Sequence, residues 1–123
     1  MEEKGRSSLA EPSQMRVDIN GISTNLLCQE FSDKYFIVVT QWRKLGTMTL
    51  VTEDSALPGS ENIQTHTAQV LLGVDDNITQ VVAMCFAKTC QVKKPVLITA
   101  ALKDTSKEMV QAICQELSKL QKR

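Results

Sequence analysis

The chain has one histidine, no surplus of either charge, and no apolar run long enough to cross a bilayer. Each shortage excludes something. With His66 alone in a threonine-rich segment, and no paired carboxylates inside an apolar helical face, general acid–base chemistry has few candidate groups. His66 is better placed as a surface or strand residue, and Asp75-Asp76 as helix caps. There is no Gly-x-Ser-x-Gly elbow, no phosphate-cradling glycine loop and no His-Glu-x-x-His. The roles of nucleophile, base and oxyanion donor cannot be filled, so no enzyme, cofactor or metal is expected. Fourteen basic and fourteen acidic residues cancel, whereas nucleic-acid and polybasic membrane surfaces want a positive excess. The amino terminus lacks the apolar core of a signal peptide, which predicts a soluble protein of the cytoplasm, with the nucleus also open. Cys28, Cys85, Cys90 and Cys114 form no Cys-x-x-Cys pair or zinc-like grouping. They are expected reduced, behaving as small hydrophobes. Asn77-Ile78-Thr79 fits the glycosylation sequon, which a cytosolic chain does not present to the enzyme.

What is present reads as one folded domain. An apolar fraction of 42% and a charged fraction of 23% are ordinary for globular chains. Residues 1–14 are polar and predict a disordered tail, leaving 15–123 as the domain. Within it, residues 35–51 hold two β-branched and aromatic runs around Arg43-Lys44-Leu45-Gly46, the composition of a β-hairpin. With Trp42 opposite Thr47, Val39 faces Leu50 and Ile37 faces Thr52. Ile37, Val39, Met48 and Leu50 then share one side, and Phe36, Val38, Trp42 and Val51 the other. Antiparallel strands with one wet face alternate, so this hairpin predicts the middle of a sheet covered on both sides.

Upstream, residues 15–19 alternate and end at Asn20-Gly21, a strong two-residue hairpin signal. The partner strand covers 22–31, with Val17, Ile19, Ile22, Leu26 and Cys28 on one face. Residues 53–64 have turn composition without a period, a loop longer than most. A strand over 67–72 stops at Gly73, and Asp75-Asp76-Asn77 supplies a helix start. Ile78, Val81, Val82, Cys85, Phe86 and Thr89 recur at helical spacing, and the helix ends before the 91–95 segment closed by Pro95. Residues 96–102 predict a strand apolar on both faces, reached by a crossover and therefore parallel to a neighbour. Its Ala100 and Ala101 would let another element come close. Thr105-Ser106-Lys107-Glu108 has the form of a capping box. The last helix carries Met109, Val110, Ile113, Cys114, Leu117 and Leu120 on one side.

The predicted fold class is α+β: a mixed, mostly antiparallel six-stranded sheet with two helices packed on one face. Two helices can cover one side of such a sheet, and the polar tail and loop cannot cover the other. An exposed apolar face of that size is unusual for a soluble monomer, so its burial in a dimer sandwich is expected.

One family fits the ordered blocks. Thr40-Gln41-Trp42-Arg43-Lys44-Leu45-Gly46-Thr47, then Val70-Leu71-Leu72-Gly73 with Asp75, then Pro95-Val96-Leu97 through Ala100, Lys103-Asp104 and Ser106, resemble proteasome assembly chaperone 3. The resemblance implies a non-catalytic chaperone for 20S proteasome assembly. It would act as a dimer with a proteasome assembly chaperone 4 homologue, or with itself. The dimer would bind α subunits, promote α-ring formation and leave before maturation, using neither nucleic acid nor membrane. Trp42, Arg43, Lys44 and Leu45 at the hairpin tip are the candidate partner-binding residues, since Trp and Arg are favoured anchors, though Trp42 could equally close the core. Ile37, Val39, Met48 and Leu50 are the candidate dimer face, or else the face under the helices. A trafficking adaptor built on a similar sheet-plus-helices fold is the alternative reading.

Overall fold

The computed structural model describes residues 12–42, 46–54, 65–91 and 93–121. The expected long loop, the expected hairpin tip Arg43-Lys44-Leu45 and most of the expected tail lie outside the described residues. The elements run β1 (Ser13–Ile19), β2 (Ile22–Glu30), β3 (Tyr35–Thr40), β4 (Thr47–Asp54), β5 (Thr65–Leu72), α1 (Asn77–Cys90), β6 (Val96–Ala101) and α2 (Lys107–Gln121). All six strands form one sheet in the order β1-β2-β3-β6-β4-β5. Ser13 and Gln14, assigned to the tail on composition, already pair with Cys28 and Leu27.

The Asn20-Gly21 turn forms as its sequence demands. Both residues have positive φ, 52° and 82°, and Ile19 pairs with Ile22. These are the dihedral signs of a type I′ turn, whose twist matches the strands it joins.

The expected hairpin between 35 and 51 does not form. β6 inserts between β3 and β4, parallel to β3 and antiparallel to β4. The physical reason is that Val96-Leu97-Ile98-Thr99-Ala100-Ala101 is apolar on both sides and belongs at the centre of a sheet, where an edge position would expose it. The register changes with it: Ile37 lies beside Ile98, and Ile98 beside Thr49. Ile37 and Val39 therefore share a face with Thr49 and Val51, while Met48 and Leu50 fall on the opposite face. A one-residue shift exchanges the two faces of a strand, and that is what happened to β4. The small residues of β6 do admit a close neighbour, the entry to β4. Gly46 has φ 75°, and a Cβ there would lie 2.7 Å from the Ala101 Cβ, so only glycine fits.

The core lies between the sheet and the helices. Leu26, Cys28, Tyr35, Ile37, Val39, Val51, Val96 and Ile98 join Phe86, Met109, Ile113, Leu117 and Leu120 in one buried cluster. α2 lies over β1 and β2, and α1 over β4, β5 and β6. α2 buries the face expected of it, with Cys114 half-buried. α1 is rotated from expectation: it buries Val82, Ala83, Phe86, Ala87 and Cys90, whereas Ile78 and Val81 are 58% and 60% exposed. The alanines Ala83 and Ala87 let the helix approach the sheet closely, and bulk alone pointed to the wrong side.

Both helix starts are capped by side chains. The Asp76 carboxylate accepts from the Thr79 amide at 2.8 Å, and the Ser106 hydroxyl accepts from the Met109 amide at 3.2 Å. The α2 cap is thus Ser106, one residue later than the predicted box, with Asp104 in turn accepting from the Ser106 amide. The Thr79 amide holds the Asp76 carboxyl below its ordinary pKa. A carboxyl depressed in the folded state contributes stability above its unfolded pKa, about 3.9, and loses it as pH falls through the folded value. Wild-type melting temperature should therefore fall more steeply than that of Asp76→Asn between roughly pH 4 and 2. Parallel curves for the two proteins would show that the charge adds nothing to the cap.

A buried amide ties the end of β3 to its surroundings. Gln41 donates to the Thr24 hydroxyl at 3.0 Å and to the Met109 sulfur at 3.4 Å. Its side-chain oxygen accepts from the Lys103 amide at 2.7 Å, and its own amide donates to the Ala101 carbonyl at 2.8 Å. Gln41→Leu keeps the volume and strands the Lys103 amide, so urea denaturation should show a loss of about 1–3 kcal/mol. An unchanged midpoint would mean that water replaces the bond freely.

Candidate interaction surface

The sheet face away from the helices is apolar at its centre and polar at its edges. One row across it runs Leu27, Val38, Thr99 and Met48, and the next runs Phe36, Leu97 and Leu50. Leu27, Phe36, Val38, Met48, Leu50 and Leu97 are each half-buried, by their strand neighbours alone. Among the described residues no element lies over them. Around them stand Gln14 and Asn25 toward β1, and Gln29 and Gln69 at the ends of the second row. Arg16 and Asp18 bring charge on the edge strand β1. An apolar centre inside a polar rim is the composition of a protein interface. At its floor the Thr99 hydroxyl is buried and has no hydrogen-bond partner among the described residues.

The predicted site residues separate on this geometry. Met48 and Leu50 lie on the open face. Ile37 and Val39 lie under the helices with no exposed surface, so the four do not make one surface as the predicted hairpin required. Trp42 stands at the end of the sheet, 52% exposed, where its indole N–H donates to the Leu102 carbonyl at 3.2 Å. The Lys103 ammonium lies 4.9 Å from the centre of the indole ring, an attractive cation–π distance. Trp42 is thus an exposed, rigidly held aromatic and not a core plug. Arg43, Lys44 and Leu45 lie outside the described residues. Sequence reasoning missed Leu27, Phe36, Val38 and Leu97 as a shared surface. The two-sided apolar run of 96–101 marks β6 as a central strand, and its pairing with β3 and β4 brings these side chains together.

Two of the cysteines form a hydrogen-bonded pair, in which the bond to Cys90 holds the Cys28 thiol below its ordinary value. Cys28 and Cys90 are buried in the core cluster. The hydrogen bond with Cys28, then burial, pushes the Cys90 thiol well above its ordinary value. Burial, the largest influence, raises the Cys114 thiol too. A protonated buried thiol is a poor nucleophile. Among the described residues no cluster of His, Cys, Asp or Glu could hold a metal.

Against known families, residues 37–120 match proteasome assembly chaperone 3. Several relatives carry that description. The one from Nematostella vectensis is 32% identical over 111 residues, covering 83% of this chain and 82% of the relative. The one from Bos taurus is 32% identical over 108 residues, covering 85% and 88%. The one from Homo sapiens is 32% identical over 96 residues, covering 76% and 78%. The chain belongs to the proteasome assembly chaperone 3 family. A solved chain from a chaperone complex for yeast 20S proteasome assembly superposes with a TM-score of 0.71 at 11% identity. It covers 91% of this chain and 99% of the other. At that identity the likeness is one of fold. The part matched to proteasome assembly chaperone 3 runs from the middle of β3 through α2. It therefore holds most of the open face and Trp42, and omits the β1–β2 hairpin that extends the sheet.

Proposed function

We propose that this chain is a chaperone for assembly of the 20S proteasome and that it works as a dimer closed across the open sheet face. The observation that carries the dimer is that face itself: six half-buried aliphatic and aromatic side chains on the central strands, ringed by amides, with no described element above them. Two such sheets stack about 10 Å apart with interdigitating side chains. A paralogous assembly chaperone of the same fold, or a second copy of this chain, supplies the matching sheet. Met48 and Leu50 stay in the proposed dimer face, joined by Leu27, Phe36, Val38 and Leu97. Ile37 and Val39 leave it. The dimer then binds α subunits of the proteasome in the cytoplasm, supports formation of the α ring and departs before the particle matures. Its contribution is non-covalent, by holding surfaces together. Trp42, with Arg43, Lys44 and Leu45 next to it in sequence, is the proposed contact for the ring subunit.

The test is purification of the tagged protein from its own cells at low salt, followed by mass spectrometry. Recovery of a second small chaperone and proteasome α subunits, with little β-containing particle, is the expected result. Coat or vesicle proteins in their place would support the adaptor reading and overturn this one.

A further inference from the structure

The open sheet face is complementary to itself along one row of side chains. That row runs Gln14, Leu27, Val38, Thr99, Met48 and Leu72, from edge strand β1 to edge strand β5. At its β5 end stands a knob. Leu72 pairs with Met48 and shares its face. It is 67% exposed, the highest value for a large apolar side chain among the described residues. At the β1 end lies a hole. Gln14, Arg16, Asn25, Leu27 and Val38 help line a depression of about 360 Å³, which admits a leucine side chain. Knob and hole sit at opposite ends of the row, whose midpoint falls between β3 and β6.

Resting on the dimer reading and deepening it, we infer that the open face docks a second copy of this chain in one orientation. β5 of each copy lies over β1 of the other, and Leu72 seats in the partner's depression. A twofold axis along the strands, between β3 and β6, achieves this twice at once, as a self-complementary interface does. The same turn sets Met48 over the partner's Leu27, Val38 over the partner's Thr99 and Phe36 over the partner's Leu97. Leu50 then comes over the partner's Gln29, which lies beyond the end of β1, where Ser13 pairs with Cys28. A twofold axis across the strands would instead stack β1 on β1 and β5 on β5. Leu72 would then meet Gln69, and the depression would receive no knob. Area agrees with a second copy as the occupant. The six strands, spaced about 4.8 Å apart, span about 24 Å, and a central strand such as β6 is about 20 Å long. Each face therefore offers on the order of 500 Å². Two faces together bury about 1,000 Å², where specific interfaces begin.

The experiment measures self-association of the full chain by sedimentation equilibrium over a micromolar concentration series. It compares wild type, Leu72→Arg, and Leu72→Arg combined with Gln14→Glu. Wild type is expected to dimerise. Leu72→Arg should weaken the dimer at least about tenfold, because the hole on the other copy then receives a guanidinium beside Arg16. Adding Gln14→Glu should recover at least about threefold of that loss, since a carboxylate now lines the hole that the guanidinium enters. Leu72 is exposed in the single chain, so the circular dichroism of both variants should match wild type. A Leu72→Arg protein that dimerises as wild type, or a loss that Gln14→Glu does not recover, would overturn this arrangement. If Leu97→Glu still dissociates that dimer, closure across the sheet face stands and only the orientation falls. A dimer that neither Leu72→Arg nor Leu97→Glu weakens overturns both. A wild-type chain that stays monomeric overturns the second copy as occupant, and its pairing with a paralogous chaperone would then keep the dimer reading.

Discussion

Leu97→Glu should convert the protein from dimer to folded monomer. Leu97 lies in the central strand β6, between Phe36 on one side and Leu50 on the other, in the middle of the open face. In an isolated chain its side chain is only half-buried, so a glutamate there reaches water and the fold persists. In a sandwich the same carboxylate is taken out of water between two apolar sheet centres. An unpaired buried charge costs at least about 3 kcal/mol, which weakens association at least about a hundredfold. Sedimentation at micromolar protein should show the monomer mass, with far-ultraviolet circular dichroism close to wild type. Gln29→Glu, at the polar rim, should change the association by less than about threefold, as rim charges do. A Leu97→Glu protein that sediments as wild type would count against a dimer closed across this face. The Thr99 hydroxyl offers a finer probe of the same face. Thr99→Val removes an orphaned buried donor and should not weaken the monomer.

Phe86→Ala should be among the most damaging single substitutions in α1, and Val81→Ser among the mildest. Phe86 is 0% exposed and belongs to the central cluster with Ile98, Met109 and Ile113. Removing a buried phenylalanine ring costs about 3–5 kcal/mol through lost burial and the cavity left behind. For a domain of this size that lowers the melting temperature by roughly 10–20 °C. Val81 lies one residue before the buried Val82 yet is exposed, so its loss should stay within about 0.5 kcal/mol. Thermal melts of the two variants measure the orientation of the helix. Similar losses from both would mean that α1 buries the bulkier face expected from its sequence.

That comparison shows where sequence information ended. Local signals held wherever the physics is local. Asn20-Gly21 closes its hairpin because both turn positions need positive φ. Asp76 starts α1 through its own side-chain acceptor, and Gln91, with φ 54°, ends it left-handed. The six strands and two helices and their order were legible from period and composition. So was the resemblance to proteasome assembly chaperones, carried by blocks whose described residues lie from the end of β3 to the start of β4, at the end of β5 and on β6.

Neighbours in space were not legible. Tyr35–Thr40 and Thr47–Asp54 look like a hairpin because they are adjacent in the chain and joined by a short polar link. Only packing of the whole sheet shows that β6, apolar on both faces, is better buried between them than at an edge. That insertion changed the register of β4, and register decides which alternate residues face the helices. It moved Ile37 and Val39 away from Met48 and Leu50, and it joined Phe36 to Leu97. The rotation of α1 was likewise decided by the close approach that Ala83 and Ala87 permit. By itself, then, the sequence determined the elements and carried the resemblance to the family, since these depend on local dihedral preference and the order of blocks along the chain. The tertiary structure alone decided which side chains share the open face, because a face belongs to the sheet and not to any one strand.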